Sequence, residues 1–572
     1  MRKILFFWMI VVVIVNSVLI ASVNYSFVSE YGPGIVDWGS NVKYGGTFRD
    51  IDVWGQLTFS LNPLTADGQH LGITPEMYEG LFYVNPLNGA VTSLLGSSYK
   101  WENKNLKLVV TTRKNVKWSD GTSFTAQDVA FTFNLLKTYP SLDLSGLWSP
   151  NSGLQSVEAS DDNTVVFEFV KPDTPLFFYI ASQPIVPEHI WSAVKDPVTF
   201  TNPNPVGTGP FLFKSFSANT NTIVAVKNPN YWMKGRPYIN EIEVKSVSSA
   251  TPFIMAMLKH DEDFNYGYIP NVQQTWADKD PSVNKYWWAV SGENILYLNT
   301  LKYPFDNSTF RKALSIAINK VALEERAYFG IGGVANPAAI IPSQMNEWFD
   351  PTLTALASEL NTYNPNKAQE LLASIGFKKD SNGQLLAPDG KPLPIFKILV
   401  GAGWTDYITQ AQIISEDLKT LGISTTIDQE TWGSYLPSLM SGTYDMAICW
   451  GSGGGPTPYY LYYQEFNPTF SASTIGKTAI SDYSRYTNPL VTASLDIYSE
   501  TSDTRLQKQA IYTIERIMLE DVPFIPLTYR TTFDNYSEET FTGFPSALYP
   551  YNGGENIDGQ GGEMLILNVH LK

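Results

Sequence analysis

The C-terminal half of the chain alternates short apolar runs with stretches of helical period, a pattern that predicts a mixed α/β fold. Residues 395–400 form an apolar run typical of a buried strand. The next stretch has the period of a helix that ends at Gly422. Its buried face carries Ala411, Ile414, Leu418 and Leu421. Residues 423–427 then form a second strand, so we expect a β-α-β unit with parallel strands and a right-handed crossover.

A third strand is predicted at residues 444–449, after a helix that includes residues 435–439. A tryptophan follows each of the three strands: Trp404, Trp432 and Trp450. Ligands of open α/β sheets bind beyond the carboxyl ends of the strands, so these rings are candidate ligand contacts. The alternative for each ring is a place in the core.

The N-terminal part shows the same mixture of elements. Residues 106–110 alternate like a half-buried strand, and Asp120-Gly121 forms a turn. Thr125 and Asp128 then have the spacing of a capping box, which predicts the start of a helix. Another helix is predicted from Asn364-Pro365 to Gly376.

The first 22 residues have the pattern of a secretory signal peptide. Arg2 and Lys3 precede an almost wholly apolar stretch at 4–20, and Ala21-Ser22 supplies small residues. An uncleaved membrane anchor is the alternative, because the apolar stretch is close to spanning length. Cys449 is the only cysteine, which excludes an intramolecular disulfide and leaves no cysteine at the cleavage site for a lipid anchor. We expect a protein exported across the inner membrane, periplasmic or at the cell surface, and not a lipoprotein.

Composition narrows the choice of ligand. The formal net charge of −16 argues against nucleic acid and anionic membranes as partners. Charged residues make up only 16% of the chain, whereas 15 Trp and 32 Tyr raise the aromatic content to 14%. This combination suits neutral polar ligands with flat faces, although most aromatic side chains fill cores.

The sequence contains few of the motifs that enzymatic catalysis requires. The segment Gly451-Ser452-Gly453 lacks the spacing of a nucleophile elbow, and Gly476-Lys477-Thr478 lacks the first glycine of a phosphate loop. The four histidines are not at metal-ligand spacing. We therefore expect no catalytic residue, no metal and no cofactor. A secreted carbohydrate-active enzyme stays formally open, because a glycosidase needs only two carboxylates.

Several motifs occur together in one order along the chain. They are YGGTF at 44–48, YEGL at 78–81, TRKNVKWSDGTSFTAQD at 112–128, PVGTGPF at 205–211, NPNYW at 228–232 and DVPFIPL at 521–527. Together they resemble the family 5 extracellular solute-binding proteins of ABC importers, the family of the oligopeptide-, dipeptide- and nickel-binding proteins. The resemblance extends from about residue 44 to beyond residue 527.

This resemblance implies a fold of the type II periplasmic binding proteins, with two hinged lobes and an extra domain inserted in the first. Residues 1–22 would be the signal peptide, and 23–64, 180–290 and 528–572 would form lobe I. Residues 65–179 would be the inserted domain, and 291–527 would be lobe II. The resemblance also implies a monomer that encloses a small-molecule ligand and delivers it to the permease subunits of an ABC transporter.

The ligand class depends on the loop after Trp450. Peptide-binding members hold the ammonium group of the peptide with an aspartate in this loop, and the matching position is Gly453. No carboxylate occurs between Asp445 and Glu465. An oligosaccharide, such as cellobiose or a β-linked gluco- or manno-oligosaccharide, is therefore the main prediction. An oligopeptide or dipeptide is the alternative.

The predicted ligand contacts combine the strand-end tryptophans with positions carried over from the family. They are Trp54, Gln56, Phe131, Asn265, Tyr266, Trp288, Tyr297, Trp404, Trp432, Trp450, Gly451, Gly453 and Tyr529.

Overall fold

The computed structural model describes residues 28–69, 72–149, 152–451, 453–555, 557 and 559–572. The predicted signal peptide at 1–22 lies outside the described residues. Within the described ranges, no helix combines the length and the apolar character needed to cross a bilayer.

Three sheets organise the chain, and each belongs to a different part of the predicted architecture. The lobe I sheet contains, in spatial order, Phe211–Ser217, Thr222–Lys227, Glu241–Ser246, Thr47–Asp52, Phe264–Tyr266, Asp534–Ser537 and Asn284–Trp287. The insert sheet contains Gly96–Glu102, Lys107–Thr112, Thr164–Phe169 and Leu154–Asp161. The lobe II sheet contains Thr425–Glu430, Phe396–Gly401, Met446–Trp450, Val290–Leu298 and Phe524–Thr531.

Smaller pairs of strands and the helices complete the fold. The paired strands are Val28–Ser29 with Gly32–Val36, Phe82–Val84 with Val91–Ser93, Lys378–Lys379 with Leu385–Leu386, and Phe541–Thr542 with His570–Leu571. The α-helices of lobe I and the insert are Ala66–Gln69, Ala126–Thr138, Phe177–Ser182, Glu188–Trp191, Ala250–Leu258, Val272–Thr275 and Gln560–Asn568. Those of lobe II are Ser308–Ala317, Lys320–Ala327, Pro342–Trp348, Thr354–Asn361, Pro365–Ser374, Thr405–Thr420, Trp432–Ser441, Tyr459–Phe466, Pro489–Glu500 and Thr504–Asp521.

The β-α-β prediction for lobe II is confirmed. Phe396–Gly401 runs parallel to Thr425–Glu430 on one side and to Met446–Trp450 on the other. The predicted strand at 423–427 begins two residues later in the structure. The helix between the first two strands spans Thr405–Thr420, and Gly422 follows it with a φ of +81°.

The capping box in the insert is also confirmed. Helix Ala126–Thr138 begins after Thr125, whose backbone N–H donates to the Asp128 carboxylate at 2.9 Å. Val129, Phe133 and Leu136 are buried on the inner face of this helix, as its period predicts. The strand predicted at 106–110 is observed as Lys107–Thr112.

Two segments cross between the lobe I and lobe II sheets. One passes through Trp288 and Ala289, and the other passes through Thr532 and Phe533. The Ala289 N–H donates to the Thr532 hydroxyl at 2.9 Å, and the Thr532 N–H donates to the Ala289 carbonyl at 2.8 Å. The two crossings are therefore tied to each other, which is the arrangement a hinge requires. The residue-level domain boundaries stay a prediction.

Candidate ligand-binding cleft

Three tryptophans meet at the carboxyl edge of the lobe II sheet. The Trp404 ring centroid lies 5.8 Å from Trp432 and 5.7 Å from Trp450. The Trp432 and Trp450 rings are 6.1 Å apart with only 17° between their planes. Half of the Trp432 surface is exposed (50%), and the other two rings are half-buried. We call these three residues the tryptophan platform.

Tyr435 and Gly401 fix the position of the Trp404 ring in the platform. Trp404 contacts Tyr435 edge-on, with ring centroids 5.1 Å apart, and the Tyr435 hydroxyl donates to the Ile448 carbonyl at 2.7 Å. A Cβ atom on Gly401 would lie 2.3 Å from the Trp404 indole, so only glycine leaves room for this ring. Gly401 is thus both the last residue of its strand and the residue that leaves room for the Trp404 ring.

Arg530 is a neighbour of the platform that the sequence reasoning missed. Its guanidinium carbon lies 5.6 Å from the Trp450 ring centroid, within the range of a cation–π contact. Arg530 lies on strand Phe524–Thr531, directly after Tyr529. The available signal in the sequence was that Arg530 directly follows Tyr529, a predicted ligand contact. Nothing in the sequence indicated its contact with Trp450, because the two residues are 80 positions apart in the chain.

The glycine loop, which contains Gly451, Gly453, Gly454 and Gly455, leads from the platform towards helix Tyr459–Phe466. The Gly451 N–H donates to the Glu293 carbonyl at 2.9 Å. Gly453 has a φ of +85°, and a Cβ there would lie 2.4 Å from the Tyr460 carbonyl oxygen. The glycine is therefore needed for close approach of the loop to the helix, whereas the sequence suggested close approach to the ligand.

A buried carboxyl group lies on the strand beside this loop. Glu293 is 1% exposed, and burial raises its pKa to about 8. Its Oε1 atom has no hydrogen-bond partner among the described residues. At neutral pH the group is largely protonated, so it does not act as a fixed negative charge under the glycine loop.

Two predicted contacts on lobe II are core residues in this structure. Tyr297 is fully buried, and its hydroxyl donates to Glu465 at 2.7 Å. Tyr529 is 8% exposed, and its hydroxyl donates to the Ile340 carbonyl at 3.0 Å. Both hydroxyls are satisfied within the protein, so neither is presented to the cleft.

Three further predicted contacts lie at or beside the hinge. Trp288 is buried, donates its indole N–H to Asn535 at 3.1 Å and packs against Phe533. Asn265 is fully buried and donates to the Ile51 carbonyl. Tyr266 is half-buried and contacts Phe533. Packing around the crossing segments accounts for all three.

The remaining predicted contacts lie on lobe I and the insert. Trp54 and Phe131 are half-buried against the shared core of these two parts. Gln56 is exposed, and its amide donates to the Asn221 side chain at 3.1 Å. The structure thus groups the platform and the glycine loop on lobe II, whereas these three residues pack within lobe I and the insert.

The structure also contains an aromatic cavity that the sequence reasoning missed. It lies between the insert and lobe II, has a volume of about 450 Å³ and is bordered by Tyr179, Tyr459, Tyr460 and Tyr463. The spacing of Tyr459 and Tyr463, four residues apart on a helix, was the available signal because it places both rings on one face.

This fold is that of the large two-lobed binding proteins, and comparisons identify the family. Residues 90–473 match the family described as bacterial extracellular solute-binding proteins, family 5 Middle, and the chain belongs to that family. The predicted fold class, an α/β type II periplasmic binding protein, is confirmed.

Curated relatives are similar over most of their length. Heme-binding protein A of Haemophilus influenzae is 27% identical over 503 residues, which cover 82% of this chain and 84% of that protein. Oligopeptide-binding protein AppA of Bacillus subtilis is 25% identical over 444 residues, which cover 76% of this chain and 77% of that protein. These relatives are binding proteins.

Solved structures give the same fold. A periplasmic oligopeptide-binding protein of an oligopeptide ABC transporter from Thermotoga maritima has 27% identity and a TM-score of 0.82, and the match covers 92% of this chain and 99% of that chain. A structure of that protein with mannohexaose bound gives a TM-score of 0.77 at 27% identity, covering 93% of this chain and 99% of that chain.

Proposed function

We propose that this protein is an extracytoplasmic receptor that captures an oligosaccharide between its lobes and delivers it to the permease of an ABC importer. The tryptophan platform carries this proposal. Its rings are close together and partly exposed. We further propose that the receptor is exported, acts as a monomer and catalyses no reaction.

The physical case for a saccharide is the fit between ring faces. A β-linked pyranose presents a face of axial C–H groups, which packs against indole rings, and equatorial hydroxyls, which need neutral partners at the edge. The loop after Trp450 supplies no carboxylate for an ammonium group. The Thermotoga maritima structure with mannohexaose bound shows a similar protein holding such a ligand.

A peptide is the second candidate, and the names of the relatives favour it. Oligopeptide-binding proteins of Bacillus subtilis and Salmonella typhimurium are among them, and by names alone the peptide fits better than the sugar. A peptide would need another partner for its ammonium group, because the position of the aspartate is Gly453. The cleft chemistry and the names therefore point to different ligands, and one binding experiment separates them.

The experiment is a thermal melt of the purified protein with separate panels of saccharides and peptides. A ligand that binds the folded state raises the melting temperature by mass action. We expect gluco- or manno-oligosaccharides to raise it and peptides to leave it unchanged. A shift with peptides and none with any saccharide would replace the main proposal by the second candidate.

Replacement of Trp432 by Ala locates the site. Because this ring is half exposed, its loss should cost little stability but should abolish the saccharide shift. Tyr363→Ala is the matched control, since Tyr363 is also an exposed aromatic residue of lobe II (39%). If W432A keeps the full shift, the platform is not the binding surface.

A further inference from the structure

The cavity between the insert and lobe II has walls from two different domains. Asp143, Ser145, Asp173 and Tyr179 come from the insert, and Tyr459, Tyr460, Tyr463 and Gln464 come from helix Tyr459–Phe466 of lobe II. Its volume of about 450 Å³ is within the range of roughly 300–1,000 Å³ that is usual for small-molecule sites. The cavity exists only while the two domains are in contact.

Direct contacts hold the two walls together. The Tyr460 hydroxyl donates to the Pro175 carbonyl at 3.1 Å, and the Tyr460 ring lies 5.1 Å from that of Phe178. The Thr174 hydroxyl is 3.3 Å from the Thr501 carbonyl. These contacts seal one side of the cavity and leave the rings of Tyr459 and Tyr463 on its wall.

The polar groups of the cavity are suited to a ligand that donates hydrogen bonds. No Lys, Arg or His is among the described residues that line it. Asp143 is already used, because its carboxylate accepts from the N–H groups of Leu147 and Trp148 at 2.8 Å each. The Asp173 carboxylate interacts with the N–H of Leu176, and a carboxylate has room to accept further hydrogen bonds. Lys171, the cation that acts on it, borders the adjoining smaller cavity.

Asp173 also borders a second, smaller cavity of about 240 Å³, together with Tyr459 and Tyr463. Asp173 is half-buried, and burial raises the pKa of its carboxyl group to about 7. The carboxyl group therefore lies where two aromatic-walled spaces meet. A hydroxyl-bearing ligand in either space would find an acceptor there.

We infer that this cavity is a second saccharide subsite, in which Asp173 accepts hydrogen bonds from sugar hydroxyls and Tyr459 and Tyr463 contact the pyranose faces. The inference rests on the proposed function. The glycine loop connects the tryptophan platform to this subsite, because Gly455 packs directly on the Tyr460 ring. We expect a ligand that occupies both places to be longer than a disaccharide.

The test is calorimetric binding of manno- and cello-oligosaccharides of two to six units to the wild type and to Asp173→Asn. The titrations are made at about pH 8.5, where Asp173 is ionised, and a lost hydrogen bond to a charged group corresponds to about tenfold or more in affinity. We expect D173N to weaken the longest oligosaccharides about tenfold and to change disaccharide affinity less than twofold. W450A should weaken every length.

Two further variants keep the result interpretable. Ser145→Trp fills the cavity from the insert side and should also weaken only the long ligands, and Asp162→Asn, an exposed carboxylate of the insert, should change nothing. If D173N and S145W bind every length as the wild type does, the second subsite is wrong and the proposed function stands. If the wild type binds no saccharide of any length, the proposed function fails, and this inference fails with it.

Discussion

The tryptophan platform and the aromatic group at the hinge are both built around tryptophan, but they differ in accessibility and in ring orientation. The tryptophan platform on lobe II has a ring that is 50% exposed and nearly parallel ring planes. The group at the hinge, around Trp288, is buried, and Trp288 and Phe533 meet edge-on at 80°. The indole N–H of Trp288 is bonded to Asn535. Residue type is the same in both groups, so accessibility and orientation decide which group can meet a ligand.

We therefore expect the platform to contribute mainly to ligand binding and the hinge group mainly to stability. A half-exposed indole such as that of Trp432 is accessible to a sugar, whereas a buried indole with its N–H satisfied contributes to packing. Substitutions in the two groups should therefore affect different measurements.

The largest expected effect is on stability at the hinge. Trp288→Ala removes a buried ring and a side-chain hydrogen bond, so we expect a loss of about 3–5 kcal/mol, seen as a clear drop in melting temperature. Trp432→Ala, on the platform, should cost about 1 kcal/mol or less in the same melt. If both variants melt alike, the contrast between the two groups is wrong.

Glu293 offers a second test, through pH. Because burial raises its pKa to about 8, the folded chain keeps a proton between about pH 4.5 and 8 that the unfolded chain has released. This group's contribution is therefore most favourable near pH 5 and declines as pH rises through that window. Glu293→Gln should match the wild type near pH 5 and exceed its stability by about 4 kcal/mol near pH 8.5.

Urea unfolding at several pH values measures this effect. Glu359→Gln is the control, because Glu359 is an exposed acid of lobe II and its replacement should leave the pH profile unchanged. Equal stability of E293Q and the wild type at both ends of the range would show that the Glu293 carboxyl is not held protonated.

The smallest expected effect concerns the glycine loop. Gly453→Ala forces a side chain into a backbone with a φ of +85° and against the Tyr460 carbonyl, so we expect a loss of about 1–2 kcal/mol. Gly433→Ala is a matched control with open space around its Cβ position. A G453A variant as stable as G433A would mean that the loop does not need to approach the helix so closely.

The elements of lobe II and the meeting of the three tryptophans were predictable from sequence. Parallel strands place their carboxyl ends at one edge, so residues at or just beyond the ends of Phe396–Gly401, Thr425–Glu430 and Met446–Trp450 must come together. The helices between these strands were predictable from their hydrophobic period. This reasoning needed no knowledge of side-chain contacts between distant segments.

Positions carried over from the family were less informative about side chains. Tyr297 and Asn265 lie on the expected strands, but their side chains point into the core, where Glu465 and Ile51 supply partners. The cavity beside Asp173 was not predictable either, since its walls come from segments that are almost 300 positions apart in the chain. Their meeting depends on how the insert docks on lobe II, which no local pattern specifies.

The strand Asp534–Ser537 lies inside the lobe I sheet, between Phe264–Tyr266 and Asn284–Trp287, and Leu571 bridges to Lys43. The first lobe of the molecule can therefore be completed only after nearly the whole polypeptide has left the ribosome. Lobe II has all of its strands between residues 290 and 531, so it can fold from one continuous stretch. Lobe I therefore begins first along the chain but is completed last, after lobe II.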